Sequence, residues 1–133
     1  MIHLDTTFIV DLQREAAKGR GPATAFLEER ASEQLCLSVH ALCELQAGAR
    51  LARHPARERT RLDTLVASMN VAYPNEKFVE IFADTFAALE RRGARAPAMD
   101  LLIAVSALAD RAPLVTRNRQ DFETIPGLEV LAY

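Results

Sequence analysis

Apolar positions along the chain change period several times, and each change marks an element. Ile2 and Leu4 flank His3 in a short extended run that stops at Asp5. Phe8, Ile9 and Leu12 then share one helical face, with the hydroxyl pair Thr6-Thr7 predicted to cap it. Gly19 to Pro22 breaks the pattern. Pro22 suits the first turn of a helix carrying Ala23, Phe26 and Leu27, and Gln34 to Ser38 reads as a second strand. Leu42, Leu45, Ala49 and Ala52 follow helical spacing and predict a helix from His40 to Arg53 that Pro55 ends. A further helix over Ala56–Ser68 leads to a strand at Asn70–Ala72. After Pro74-Asn75, the stripe Phe78, Phe82, Phe86 and Leu89 runs to near Gly93 and is expected chiefly in the core. Pro97 opens the most apolar helix, Met99–Ala109, and strands at Leu114–Thr116 and Glu129–Ala132 close the chain. Helices alternating with short strands imply βα units with right-handed crossovers. The fold class is therefore α/β, a three-layer α/β/α sandwich with a short, mostly parallel sheet.

Composition narrows the class. The 133 residues suit one domain spanning 1–133. Hydrophobic residues at 50 % and charged ones at 26 %, with few Gly and Pro, exclude a disordered chain. The longest charge-free run, after Asp100, ends at Ala109 and is about half a membrane span. His3 and Asp5 stand where a secretory signal would hold its basic and apolar regions. A soluble, cytoplasmic protein with no membrane partner is expected, with Cys36 and Cys43 as buried small hydrophobes in a reducing compartment. The net charge of -2 gives no global basic field, so any contact with a polyanion must be local. Arg50, Arg53, Arg57, Arg59 and Arg61 cluster with His54, either as a grip for phosphate or carboxylate or as a solvated face.

Candidate chemistry lies in the acids. In open parallel sheets the site sits outside the carboxyl ends of the strands. Asp5 ends the first strand, Thr116 and Asn118 follow the strand at Leu114, and Asp100 stands in the first turn of the helix before it. Glu44 interrupts an apolar helical face, where a charge needs solvent, a partner or an ion. Singly, Asp5 and Asp100 could serve a helix N-terminus, and Asp121 could cap the turn before Phe122. Together they imply more. Two carboxylates about 4 Å apart repel by roughly 4 kcal/mol at an effective dielectric of 20, so three require a cation. Hard oxygen ligands without His or Cys select Mg²⁺ or Mn²⁺, and His3 and His40 are expected as core and cap residues.

These residues match a known pattern. Ile2-His3-Leu4-Asp5-Thr6-Thr7, Ser38-Val39-His40 leading to Glu44-Leu45 and Gly48-Ala49, Asp100-Leu101-Leu102-Ile103-Ala104, and Leu114-Val115-Thr116-Arg117-Asn118-Arg119-Gln120-Asp121-Phe122 with Pro126-Gly127-Leu128 occur in that order. Over nearly its whole length the sequence resembles the PIN-domain nucleases, specifically the VapC-type toxins of toxin-antitoxin pairs. The resemblance implies a Mg²⁺-dependent endoribonuclease that cleaves RNA by metal-activated water, a cognate antitoxin whose C-terminal segment blocks the site, and a homodimer. Asp5, Glu44 and Asp100 are the expected metal ligands. Where some members carry an acid at the position of Asn118, this chain has an amide, and Asp121 is expected as the fourth acid. Thr7, Thr116 and Asn118 are the expected hydrogen-bonding supports, and Arg50, Arg53, Arg117 and Arg119 the expected contacts to RNA or antitoxin.

Two rivals share the fold. A DNA nuclease has the same acids, although no added DNA-binding module is visible. A non-catalytic protein-binding module would gain stability by losing one of its clustered carboxylates, and all three core acids are intact.

Overall fold

A computed structural model describes all residues, 1–133. Five parallel strands form the centre: β1 (Ile2–Leu4), β2 (Leu35–Ser38), β3 (Asn70–Ala72), β4 (Leu114–Val115) and β5 (Val130–Leu131), in the order β3-β2-β1-β4-β5. The chain builds outward on one side of β1, then crosses to build on the other. The switch point therefore lies between β1 and β4, where a ligand crevice opens beyond the strand ends. His3 of β1 pairs with Cys36 of β2 and with Leu114 of β4.

All three residues of β1 are buried, and successive side chains of a strand point to opposite faces, so helices cover both faces of the sheet. These are α1 (Thr6–Lys18), α2 (Pro22–Glu29), α3 (Val39–Arg50), α4 (Pro55–Val66), α5 (Glu76–Arg91), α6 (Ala98–Ala109) and the short α7 (Arg119–Phe122). The expected α/β sandwich is the one found. The main core gathers Ile2, Leu4, Phe8, Ile9, Phe26, Leu37, Leu62, Ile103, Leu114 and Phe122, and a smaller one joins Phe78 and Leu89 of α5 to Leu101 and Val105 of α6. Apolar around most of its circumference, α6 feeds both cores, as an interior helix must. None of the helices is long and apolar enough to cross a membrane.

Local chemistry sets the joints. Glu15 of α1 reaches forward to accept the backbone N–H groups of Ala23 and Thr24 at 3.0 and 2.8 Å, capping α2 from another helix. Gly21 lets this side chain lie close, because a Cβ there would meet Glu15 Cδ at 2.6 Å and push the carboxylate from its place. Ser38 caps α3 by accepting from the N–H of Ala41 at 3.1 Å. Arg111, at φ 52, turns the chain off α6 in the left-handed region, and the carbonyl of Pro113 then accepts from the N–H of His3.

Several expectations are corrected. Thr6 and Thr7 do not cap α1; Asp5 occupies the cap position without a side-chain cap bond, and both hydroxyls serve other carboxylates. The third helix starts at Val39 and stops at Arg50, short of Arg53, because Pro55 begins α4 and disfavours helical backbone just before it. The fourth helix likewise covers Pro55–Val66 and not Ala56–Ser68. His40 is not a cap, since Ser38 performs that task, and its ring lies 5.5 Å from that of Phe78. Cys43 is exposed, and only Cys36 is buried. The aromatic stripe leaves the core as it ascends α5: Phe78 is buried, whereas Phe86 is 48 % exposed.

Phe8 is fully buried and meets Phe26 and Tyr133 edge to face at 5.5 and 4.8 Å. Phe8→Ala should lower the unfolding free energy by about 3–5 kcal/mol, measured by urea titration. A loss below about 1 kcal/mol would show that this cluster does not organise the core.

Candidate active site

The site forms where β1 and β4 end. Asp5, the residue after β1, is 3 % exposed, and its Oδ2 accepts two hydroxyl hydrogens, from Thr7 at 2.8 Å and from Thr116 at 2.7 Å. The directions follow from counting protons. Thr7 Oγ1 already accepts from the N–H of Arg117 at 3.2 Å and Thr116 Oγ1 from the N–H of Asn118 at 3.0 Å, so the single hydrogen of each hydroxyl turns to Asp5. These two bonds hold the carboxylate in one orientation, and its other oxygen, which makes no hydrogen bond, is left for a ligand.

Glu44 enters from α3 and accepts from the hydroxyl of Thr6 at 2.8 Å. Asp100 enters from the first turn of α6. Burial pushes its carboxyl up to about 6, helped by the charges of Asp5, Asp121 and Glu44. That shift records the convergence, because all three neighbours act on one group. Asp121, exposed on α7, is one of these neighbours. Asn118 contributes its backbone N–H to Thr116. Four carboxylates from separate elements, one with an unbonded oxygen and another raised to about 6, make an all-oxygen donor set that suits a hard divalent cation.

Two clefts flank the acids. One of about 480 Å³ runs between α1, α3 and α4, with Val10, Leu45, Ala49 and Leu62 on its walls and Thr6 and Glu44 among its lining. The other, about 370 Å³, is lined wholly by Arg117, Asn118, Arg119, Gln120 and Asp121. The expected arginines are not equally free. Arg117 pairs with Asp11 at 2.6 Å and Arg119 with Glu123 at 3.2 Å. Arg50 bonds back to Gln46 on its own helix, and Arg53 lies exposed beyond the end of α3.

Sequence reasoning missed Thr6, whose hydroxyl holds Glu44, and Asp11, which accepts from both Arg117 and the Tyr133 hydroxyl, the latter at 2.6 Å. Thr6 carried a signal, a second hydroxyl beside Thr7, that fitted a helix cap equally well. Asp11 carried none, because its partners arrive from the far end of the chain.

An acid-edged parallel sheet with its switch point at β1 and β4 defines a class. The family model for the PIN domain matches residues 2–128, and the chain belongs to that family. Among named relatives, Ribonuclease VapC2 of Rickettsia felis is 30 % identical over 94 residues, covering 71 % of this chain and 70 % of its own length. Ribonuclease VapC1 of Haemophilus influenzae is 28 % identical over 131 residues, covering 95 % and 92 %. Among solved structures, VapBC2 from Rickettsia felis bound to a DNA fragment from their promoter superposes with a TM-score of 0.89 at 27 % identity, covering 100 % of this chain and 99 % of that one. VapBC-1 from nontypeable Haemophilus influenzae follows with a TM-score of 0.85 at 28 % identity, over 99 % and 98 %.

The raised carboxyl of Asp100 has a definite sign in stability. A carboxyl whose folded pKa exceeds its unfolded value opposes folding once ionised. The cost is absent below about pH 4, grows up to about pH 6, and is complete at pH 7. Asp100→Asn should therefore raise the unfolding free energy of metal-free protein at pH 7 by about 1–2 kcal/mol after discounting for partial exposure, with a matching rise in melting temperature, and leave both unchanged near pH 4. A variant that melts below its parent at pH 7 contradicts the clustering. Thr116→Val removes one hydroxyl from Asp5 and should destabilise by about 1.5–3 kcal/mol, as for a bond to a charged group; chemical denaturation with no loss would mean that Asp5 does not depend on it.

Proposed function

We propose that this chain is the toxin of a toxin-antitoxin pair, an endoribonuclease that folds as one PIN-like domain over 1–133 and hydrolyses RNA at the acidic centre with Mg²⁺, for which Mn²⁺ can substitute. The observation that carries this reading is the convergence of Asp5, Glu44, Asp100 and Asp121 at the switch point of the sheet. The names of its relatives, Ribonuclease VapC1 and VapC2, support the same chemistry.

Asp5, Glu44 and Asp100 would hold the ion. When bound, a hard divalent cation neutralises the acids and polarises both water and the phosphoryl group. The remaining work falls to the chain. Thr7 and Thr116 keep Asp5 in one orientation, and Thr6 does the same for Glu44. Asp121 stands at the edge of the polar cleft, placed to orient water or hold a second ion. Arg119 and Asn118 in that cleft receive the RNA backbone, with Arg50 and Arg53 as outlying phosphate contacts. Arg117 positions its own segment through Asp11.

The structural neighbours VapBC2 and VapBC-1 support a cognate antitoxin as partner. Its C-terminal segment fits the apolar cleft between α1, α3 and α4, ending at Glu44, where a basic side chain would occupy the place of the cation. The homodimer would use the outer face of α5, where Val79 and Phe86 are 68 % and 48 % exposed. The cytoplasm, where RNA and antitoxin are both present, is the compartment this reading requires.

The test is cleavage of a mixed RNA pool by purified protein with Mg²⁺ or Mn²⁺, beside a chelator and the variants Asp5→Asn, Glu44→Gln and Asp100→Asn. Cutting should require the metal, leave 5′-phosphate and 3′-hydroxyl ends, and fall by about a hundredfold or more in each variant. Cyclic phosphate products, or cutting that survives chelation, would overturn the hydrolytic mechanism; preferential cutting of DNA would replace the substrate class.

A further inference from the structure

At the opposite end of α6 from Asp100, the amino ends of β1 and β2 carry another constellation. His3 and Cys36 are register partners on adjacent strands, so their side chains stand next to each other on one face of the sheet. Asp110, the C-cap of α6, comes over them, with its Oδ2 2.7 Å from His3 Nε2. A ring nitrogen of His3, the sulfur of Cys36 and a carboxylate oxygen of Asp110 all lie within 4.8 Å of one another. We propose that His3, Cys36 and Asp110 form a second metal site, for a borderline-soft divalent cation of the zinc type, distinct from the hard-cation centre at Asp5.

Donor chemistry selects the ion. One imidazole nitrogen, one sulfur and one carboxylate oxygen match zinc, whereas Mg²⁺ takes oxygen. A tetrahedral zinc ion sets its ligand atoms about 3.5 Å apart, and the present separations, from 2.7 Å to within 4.8 Å, bracket that spacing. His3 is 1 % exposed and Cys36 3 %, while the Asp110 side chain keeps 29 %, which leaves an entry path from solvent. The His3 ring turns Nε2 toward Asp110, and its other nitrogen, Nδ1, is buried without a partner. The two centres share no donor, and Asp100 and Asp110 lie about 15 Å apart along the helix axis. An ion bound here would tie the end of α6 to β1 and β2, the helix and strands that carry Asp100 and Asp5 to the acidic centre. It would stabilise the chain without entering the reaction.

The experiment uses full-length protein under reducing conditions with Co²⁺ as the probe. Binding should give the near-ultraviolet sulfur-to-cobalt absorption that an all-oxygen site cannot produce. The band should persist in Cys43→Ser and in Asp100→Asn, vanish in Cys36→Ser, and disappear when Zn²⁺ displaces the cobalt. His3→Gln and Asp110→Asn should each weaken binding by about tenfold or more, and Zn²⁺ should raise the melting temperature of the parent chain more than that of Asp110→Asn. No band in parent protein that circular dichroism shows to be folded, or a band that survives Cys36→Ser, overturns the site. Should Cys36→Ser fail to fold, the solvent-facing Asp110→Asn decides, and unchanged affinity there refutes the proposal.

Discussion

Mutual repulsion among Asp5, Glu44, Asp100 and Asp121 is the constraint around which the carboxyl edge of the sheet is built. The charges of Asp5, Asp121 and Glu44 all bear on the partly buried Asp100, so ionising it works against folding. The chain meets this with three devices. Hydroxyls donate to the two acids nearest the sheet, Thr7 and Thr116 to Asp5 and Thr6 to Glu44. Asp100 takes up a proton more readily than a free carboxyl, and Asp121 is left in solvent. The helix that follows Asp5 consequently starts without a side-chain cap, because the groups that would supply it serve the acids. Local helix stability is given up for the site, a conflict common at functional positions.

The topology makes the convergence possible. Only at the switch between β1 and β4 do two neighbouring strands send their following segments to opposite sides, which opens a crevice instead of a packed loop. Thr116, at the end of β4, can therefore reach Asp5 at the end of β1 although most of the chain separates them. The same helix, α6, then links both ends of the sheet. Its first turn supplies Asp100, its cap supplies Asp110, and its apolar body between them is locked into both cores. Rigidity in α6 is thus shared by the acidic centre and by the cluster around His3.

Much of the fold was legible in the chain because its signals are local. Period changes placed the five strands and the six longer helices in order, missing only the one-turn helix at Arg119–Phe122, Pro22 and Pro97 marked helix starts, and the parallel sheet followed from the alternation. Errors fell where two local signals competed. The apolar spacing that extended the third helix to Arg53 was cut off by the backbone demand of Pro55, and Thr6-Thr7 read as a cap because a hydroxyl near a helix start has two uses. Cys43 and Phe86 were misread because an apolar residue type does not say how far around its helix the core extends.

By itself, the sequence determined which elements form and which acids stand at their ends, since capping, periodicity and proline geometry act over a few residues. Tertiary structure alone decided which of those groups meet. It turned Thr6 toward Glu44, drew Arg117 and Tyr133 onto Asp11, and set His3 against Cys36 and Asp110. Each of these joins residues from distant parts of the chain, and contacts of that kind depend on strand order and register, which no local pattern encodes.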